Sequence, residues 1–104
     1  MLNQARIAEL RDEVGDDGFA EVIKIFCEEV EEILDQLDAP GAPNLAERLH
    51  FLKGSALNIG MEQVVALCIA EEDRLRGGGA GAEADIAAIR DAYSASRKAI
   101  ESLL

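Results

Sequence analysis

Apolar residues recur at intervals of three and four along nearly the whole chain, and period-two alternation of β-branched residues is absent. That pattern restricts the fold to helices packed through apolar stripes. Ile7, Leu10 and Val14 predict a short helix over about 4–14 that stops at Gly15, and Asp16 and Asp17 supply caps for the next start. Ile23, Phe26, Val30, Ile33 and Leu37 step by 3, 4, 3 and 4, which predicts a helix over about 18–37. The run Asp38-Ala39-Pro40-Gly41-Ala42-Pro43 then breaks the pattern. Asn44, followed three residues later by Glu47, reads as an Asx version of the capping box. It should open a helix over 45–59 whose stripe is Leu45, Leu49, Leu52, Ala56 and Ile59. Gly60 stands at the left-handed C′ position that ends such a helix.

Met61, Val64, Leu67 or Cys68, Glu71 or Glu72, and Leu75 mark the turns of a helix over 61–76. Arg76-Gly77-Gly78-Gly79-Ala80-Gly81 is a connection with little helix propensity. Ile86, Ile89, Tyr93, Ser96, Ile100 and Leu103 predict a last helix over 82–103. The expected fold is all-α: an antiparallel up-down-up-down four-helix bundle, with the short N-terminal helix covering one end.

Size and charge narrow the function classes. The 104 residues suit one domain, and 49% hydrophobic content suffices for a core. With 21 Asp and Glu against 10 Lys and Arg, the net charge of −11 repels phosphate backbones and anionic lipid, so neither nucleic acid nor membrane is an expected partner. The longest apolar run, Val64 to Ala70, has seven residues, against the roughly 20 needed to span a bilayer. Met1 to Arg6 shows no secretory signal, and Cys27 and Cys68 read as reduced core residues, so a cytoplasmic protein is expected. One Tyr, three Phe and no Trp give little surface for stacking bases.

The informative residue is the single histidine. At roughly 100° per residue, His50 points about 140° away from the stripe of its own helix. Ala46 lies four residues before it and Gly54 four after, so little bulk flanks the ring, and Lys53 follows three residues on. A glycine inside a helix costs about 1 kcal/mol relative to alanine. Nothing in the packing pattern calls for one here, unless something large must approach the ring. An imidazole, with an ordinary pKa of about 6.5, offers a neutral nucleophilic fraction at cellular pH. Beside a cation it can attack a phosphoryl group, with Lys53 offsetting charge on the transferring oxygens and Gly54 leaving room. Glu47, one turn before, is a candidate acceptor for one ring nitrogen. The rival reading of a lone histidine is a bystander on a solvated face.

The segment His50-Phe51-Leu52-Lys53-Gly54-Ser55-Ala56-Leu57-Asn58-Ile59-Gly60 resembles the signature H-x-L-K-G-S-[AS]-x-x-[IL]-G of histidine-containing phosphotransfer (HPt) domains. More loosely, Ile23 to Phe26 is similar to the family's preceding helix and Leu67 to Glu71 to its following one. Leu49 departs from the small residue usual before the histidine. The resemblance implies a phosphorelay carrier on a four-helix bundle. Its histidine takes a phosphoryl group from a receiver-domain aspartate and returns it to another receiver. By that likeness His50 is the phosphoacceptor, Lys53 steadies the phosphoryl group and Gly54 removes obstruction. The partners would be receiver domains of response regulators and hybrid sensor kinases. No cofactor is expected on this chain, because the divalent ion belongs to the receiver. Ala46 and Leu57 fall within about 40° of His50 on the wheel. With Glu47 they are the expected partner-binding residues, in a protein expected to be monomeric.

Three other readings compete. A kinase-type dimerisation domain also exposes a histidine on a helix, but that class resembles a pattern with an acid after the histidine, where this chain has Phe51. Its 104 residues also leave no room for an ATP-binding domain, so the chain is expected to be a carrier and not an enzyme. A piece of a longer chemoreceptor kinase remains open. An acidic helical adaptor would use the same bundle with no chemistry at His50. A metal or haem site is disfavoured, since bundle sites recruit several ligands and no HEXXH, cysteine-rich spacing or aspartate cluster is present. Gly77 to Gly81 lacks the following Lys-Ser or Lys-Thr of a phosphate loop.

Overall fold

The structure is a computed structural model that describes residues 2–37, 45–78 and 83–104. Within them the chain is all-helical: α1 (Gln4–Leu37), α2 (Leu45–Asn58), α3 (Glu62–Arg76) and α4 (Glu83–Glu101), with no strand among the described residues. The breaks expected at 38–43 and 79–81, the Asn44 cap and the start of the last helix at 82 lie outside the described residues. Helix α2 packs against α1 and α3, α3 against α4, and α4 returns to meet α1.

The stripe expected for α2 is the heart of the core: Leu49, Leu52, Ala56 and Ile59 have no exposed surface. Val30, Met61, Val64, Cys68, Ile89 and Ile100 join them at the same level. In α1 the buried line is Phe19, Ile23, Cys27, Val30, Leu34 and Leu37, while Phe26 and Ile33 flank it partly buried. The stripe therefore runs one residue later at two turns than the apolar spacing suggests, because the small Cys27 packs where bulk was expected. Two other stripe residues are exposed: Val14, beside the break at Gly15, and Leu103, beyond the end of α4.

Gly15 is the one non-helical residue inside α1, with φ 75° and ψ 168°. An L side chain is strained at such a positive φ, so the glycine allows the chain to change direction there. Before it, Arg11 lays its guanidinium 4.5 Å above the Phe19 ring and donates to the Leu103 carbonyl at 2.8 Å. This ties the start of the chain to its end.

The α2–α3 junction is fixed from two sides. Met61 N donates to the Ala56 carbonyl at 2.9 Å and Gly60 N to the Leu57 carbonyl at 3.2 Å, the pair of bonds of a Schellman C-cap with Gly60 (φ 70°) at C′. The N-terminal segment then closes over it. Asn3 N donates to the Gly60 carbonyl at 2.7 Å, and Arg6 Nε donates to the Asn58 carbonyl at 3.0 Å. A Cβ at residue 60 would stand 3.0 Å from the Asn3 carbonyl oxygen and 3.1 Å from Ile7 Cγ1. Gly60 thus meets a conformational need and a close approach at once.

One polar cluster is paired across helices α1 and α4, while the buried Ser96 hydroxyl has no partner among the described residues. The Tyr93 hydroxyl donates to Glu31 Oε2 at 2.7 Å and to the Cys27 carbonyl at 3.3 Å, and Arg97 reaches the same Glu31 carboxylate. Burial first, and then the Glu31 carboxylate, push the Tyr93 hydroxyl well above its ordinary pKa. Burial raises the Cys27 thiol and pushes Cys68 up to about 12, with the Glu72 charge adding to the latter.

These raised values set the sign of an alkaline effect. The folded chain holds the thiol protons to higher pH than the unfolded chain does, so their contribution is complete below about pH 8 and is lost progressively toward about pH 12. Urea unfolding should therefore show stability falling above about pH 8.5, by up to ~1.4 kcal/mol per pH unit for each such group. Cys68→Ala should make that decline shallower. A midpoint unchanged between about pH 8 and pH 10.5 would contradict the assignment.

Candidate functional site

Helix α2 is held by its buried Leu49, Leu52 and Ala56, with Ile59 just past its end, so the side chains opposite them face solvent. The His50 side chain is 70% exposed. One turn on, an added Cβ at Gly54 would meet no atom within 4 Å, so the backbone there is open to an approaching molecule. Ala46 and Glu47 are exposed one turn before the ring. Leu57, two turns further along the same face, is 59% exposed, which is large for an unpartnered leucine. Phe51 is equally exposed and meets the imidazole edge-on, the ring centroids 6.5 Å apart at an interplanar angle of 65°.

Helix α3 brings in a residue that the sequence alone did not assign. Glu72 Oε2 accepts a hydrogen bond from Lys53 Nζ at 3.0 Å, and Glu72 Oε1 stands 4.0 Å from His50 Nδ1. Glu72 thus faces Nδ1, the place the sequence offered to Glu47; Glu47 lines the same hollow as the ring but is not among the groups paired with it. The reason is geometric. Glu47 sits on the outermost line of α2, whereas Glu72 rises from the neighbouring helix on the side toward which Lys53 and His50 lean. In the sequence Glu72 was only one of two acids marking a turn of α3. Its partner position Glu71 is buried and held by Arg74 at 2.6 Å.

The Glu72 side chain is 13% exposed and that of Lys53 25%, so the pair is a half-buried brace between α2 and α3. Glu72 Oε1 is itself buried and has no hydrogen-bond donor. Leaving such an acceptor unmet costs about 1–3 kcal/mol. A proton on Nδ1, reached by a small rotation of the exposed ring, would satisfy it, and Nε2 would then carry the free lone pair. Cys68, one turn before Glu72, is no competing nucleophile, because a thiol pushed up to about 12 is protonated at neutral pH.

Beside the ring lies a hollow of about 380 Å³ lined by Ala46, Glu47, His50, Glu72, Leu75 and Arg76. Further along α3, Ile69 is 44% exposed and shares a face with Glu72 and Arg76 by its spacing of three and seven residues. It was not singled out by the sequence, where it reads as one more residue of a continuous apolar run. Among the described residues no cluster of three or more His, Cys, Asp or Glu can hold a metal ion, and no helix is long and apolar enough to cross a membrane.

The site thus combines a solvent-facing imidazole, a carboxylate poised for one of its nitrogens, an adjacent ammonium and a Cβ-free turn of helix. No curated protein and no solved structure gives a significant match to the chain. A family model described as the Hpt domain matches residues 21–99, which takes in α2, α3 and all but the end of α4. With that match covering most of its length, the chain belongs to the Hpt domain family, phosphocarriers of two-component phosphorelays that work with receiver domains.

Proposed function

We propose that His50 accepts a phosphoryl group from the aspartyl phosphate of one receiver and returns it to the aspartate of another. The observation that carries this reading is the imidazole standing 70% exposed, one turn before a helical glycine with open space around it. The chemistry balances without any group beyond the two proteins and the receiver's own divalent ion. The Nε2 lone pair attacks phosphorus, the bond from phosphorus to the aspartate oxygen breaks, and the carboxylate leaves with its electron pair. The Nδ1 proton stays in place, so the ring becomes cationic as the N–P bond forms, and Glu72 Oε1 faces that charge. Lys53, steadied by Glu72, offsets charge on the transferring oxygens. Reversal of the same steps delivers the group onward.

The reading extends to the surroundings. Ala46, Glu47 and Leu57 border the ring as docking residues. The scaffold is an up-down-up-down bundle of one domain, in which the segment before Gly15 acts as a short extra helix over one end. The chain carries no nucleotide site, works in the cytoplasm and acts as a monomer, for which size in solution is the check. Its receivers are those of response regulators and hybrid sensor kinases.

Incubation with a panel of phosphorylated receivers should place an acid-labile, base-stable label on the protein, and ¹⁵N spectra should locate phosphorus on Nε2. His50→Gln should abolish the label while preserving the helical spectrum. Label on His50→Gln, or a wild-type protein that no receiver loads, would overturn the proposal and favour an adaptor.

Gly54→Ala separates stability from transfer. With no atom near the new Cβ, the helix should gain about 1 kcal/mol, raising the melting temperature by roughly 4 °C or more. Transfer should slow about tenfold, the equivalent of ~1.4 kcal/mol of obstruction in the docked complex. A variant that is both more stable and equally fast would show that the space has no role. Leu57→Asp should weaken receiver binding about tenfold and leave helicity unchanged, as expected for an apolar contact at a transient interface. Unchanged transfer kinetics would remove Leu57 from that surface.

A further inference from the structure

We infer that Arg76 is a second phosphoryl-binding cation, which reaches from the end of α3 into the hollow beside His50 and grips the group once it is on the ring. This rests on the phosphocarrier reading and goes beyond the residues that reading uses. The argument is one of charge. Lys53 Nζ is already engaged by Glu72 at 3.0 Å and does not line the hollow. Among the described residues, the ionisable groups that do line it, besides the ring, are two carboxylates, Glu47 and Glu72, and one guanidinium, Arg76. A phosphoryl group bringing a charge of about −1.5 to −2 would face two acids there. Among the described residues, Arg76 is the one cation on that lining able to answer it.

The geometry and the energetics agree. Arg76 follows Glu72 by four residues, so the two rise from the same face of α3 in successive turns, and the carboxylate of the first stands 4.0 Å from His50 Nδ1. A guanidinium offers two parallel N–H donors that fit a pair of phosphoryl oxygens. Ala46 and Leu75 form the apolar part of the wall, which strengthens such a contact by excluding water. Arg76 now pairs with Asp73 at 2.9 Å, but both side chains are largely exposed, 73% and 61%. An exposed i,i+3 pair is weak and is readily exchanged for a doubly charged group.

The test uses an equilibrium, because a residue that only touches the receiver changes rates in both directions but not the ratio of free phosphorylated species. Wild-type protein, Arg76→Ala, Arg76→Lys and Asp73→Asn are each brought to equilibrium with one phosphorylated receiver, and the phosphoryl distribution is measured. Arg76→Ala should shift it toward the receiver by about tenfold or more, the scale of one charge-assisted hydrogen bond. Arg76→Lys should recover part of the loss, and Asp73→Asn, which frees the guanidinium, should shift the distribution the other way. Phosphorus NMR of the loaded protein should show the last phosphoryl ionisation moved to higher pH in Arg76→Ala. An unchanged distribution in Arg76→Ala, whether or not transfer slows, would overturn this assignment. A wild-type protein that takes no label would instead overturn the phosphocarrier reading on which it stands.

Discussion

The rotational setting of α2 governs everything at its surface. Leu49, Leu52, Ala56 and Ile59 are sealed from solvent, and at about 100° per residue no other rotation of the helix keeps all four inside. His50, one position past Leu49, is turned outward as a consequence. Turning the helix to bury the ring would bring Leu49 toward water, at about 1.5–3 kcal/mol for a side chain of that size, and would leave an imidazole to be satisfied inside the core. The setting is anchored at the far end of the helix, where the Gly60 turn is clasped by Asn3 and Arg6. The N-terminal segment therefore contributes to the site without touching it.

Onto that fixed ring the structure brings one carboxylate with unequal oxygens. Glu72 Oε2 has its donor in Lys53, and Oε1 has none. In a resting protein the second oxygen is a small liability. In the proposed reaction it becomes useful, since the ring turns cationic as phosphorus bonds to Nε2 and the Nδ1 proton becomes a stronger donor. The deficit of one group and the new charge of the other then offset each other. Lys53 gains from the same arrangement, because a lysine held by a brace between two helices loses less side-chain freedom when it meets a phosphoryl oxygen.

The sequence makes the helices and the outward histidine legible because both follow from periodicity within a single segment. Leu49, Leu52, Ala56 and Ile59 define a direction, and the place of His50, Lys53 and Gly54 relative to it needs no knowledge of other helices. The Gly60 cap was legible for the same local reason. Glu72 was not, because its meaning depends on how α3 is rotated against α2, and a separation of 22 residues from His50 carries no geometric information by itself. The preference for Glu47 came from its place one turn away on the same helix, where proximity in sequence stood in for proximity in space. Cys27 displaced Phe26 from the centre of the α1 stripe through a similar gap. Which of two adjacent residues faces inward depends on the volume available across the interface, which the chain does not spell out.

On the proposed reading, the charges around the ring also bear on how the site could both take and give. A pocket lined only by cations would hold a phosphoryl group tightly and transfer it poorly, since binding energy expressed in the ground state raises the barrier to leaving. Here Lys53 is largely neutralised by Glu72, and Glu47 adds a further negative edge. On the proposed reading that balance keeps the phosphorylated state only modestly favoured, so that the group can move in either direction between receivers. Gly54 serves the same end on the steric side. A side chain there would strengthen the isolated helix, and on the proposed reading the open turn is what lets a receiver approach closely enough to do the chemistry itself. On that reading the bundle is closely packed where it positions the imidazole and bare where the partner would enter.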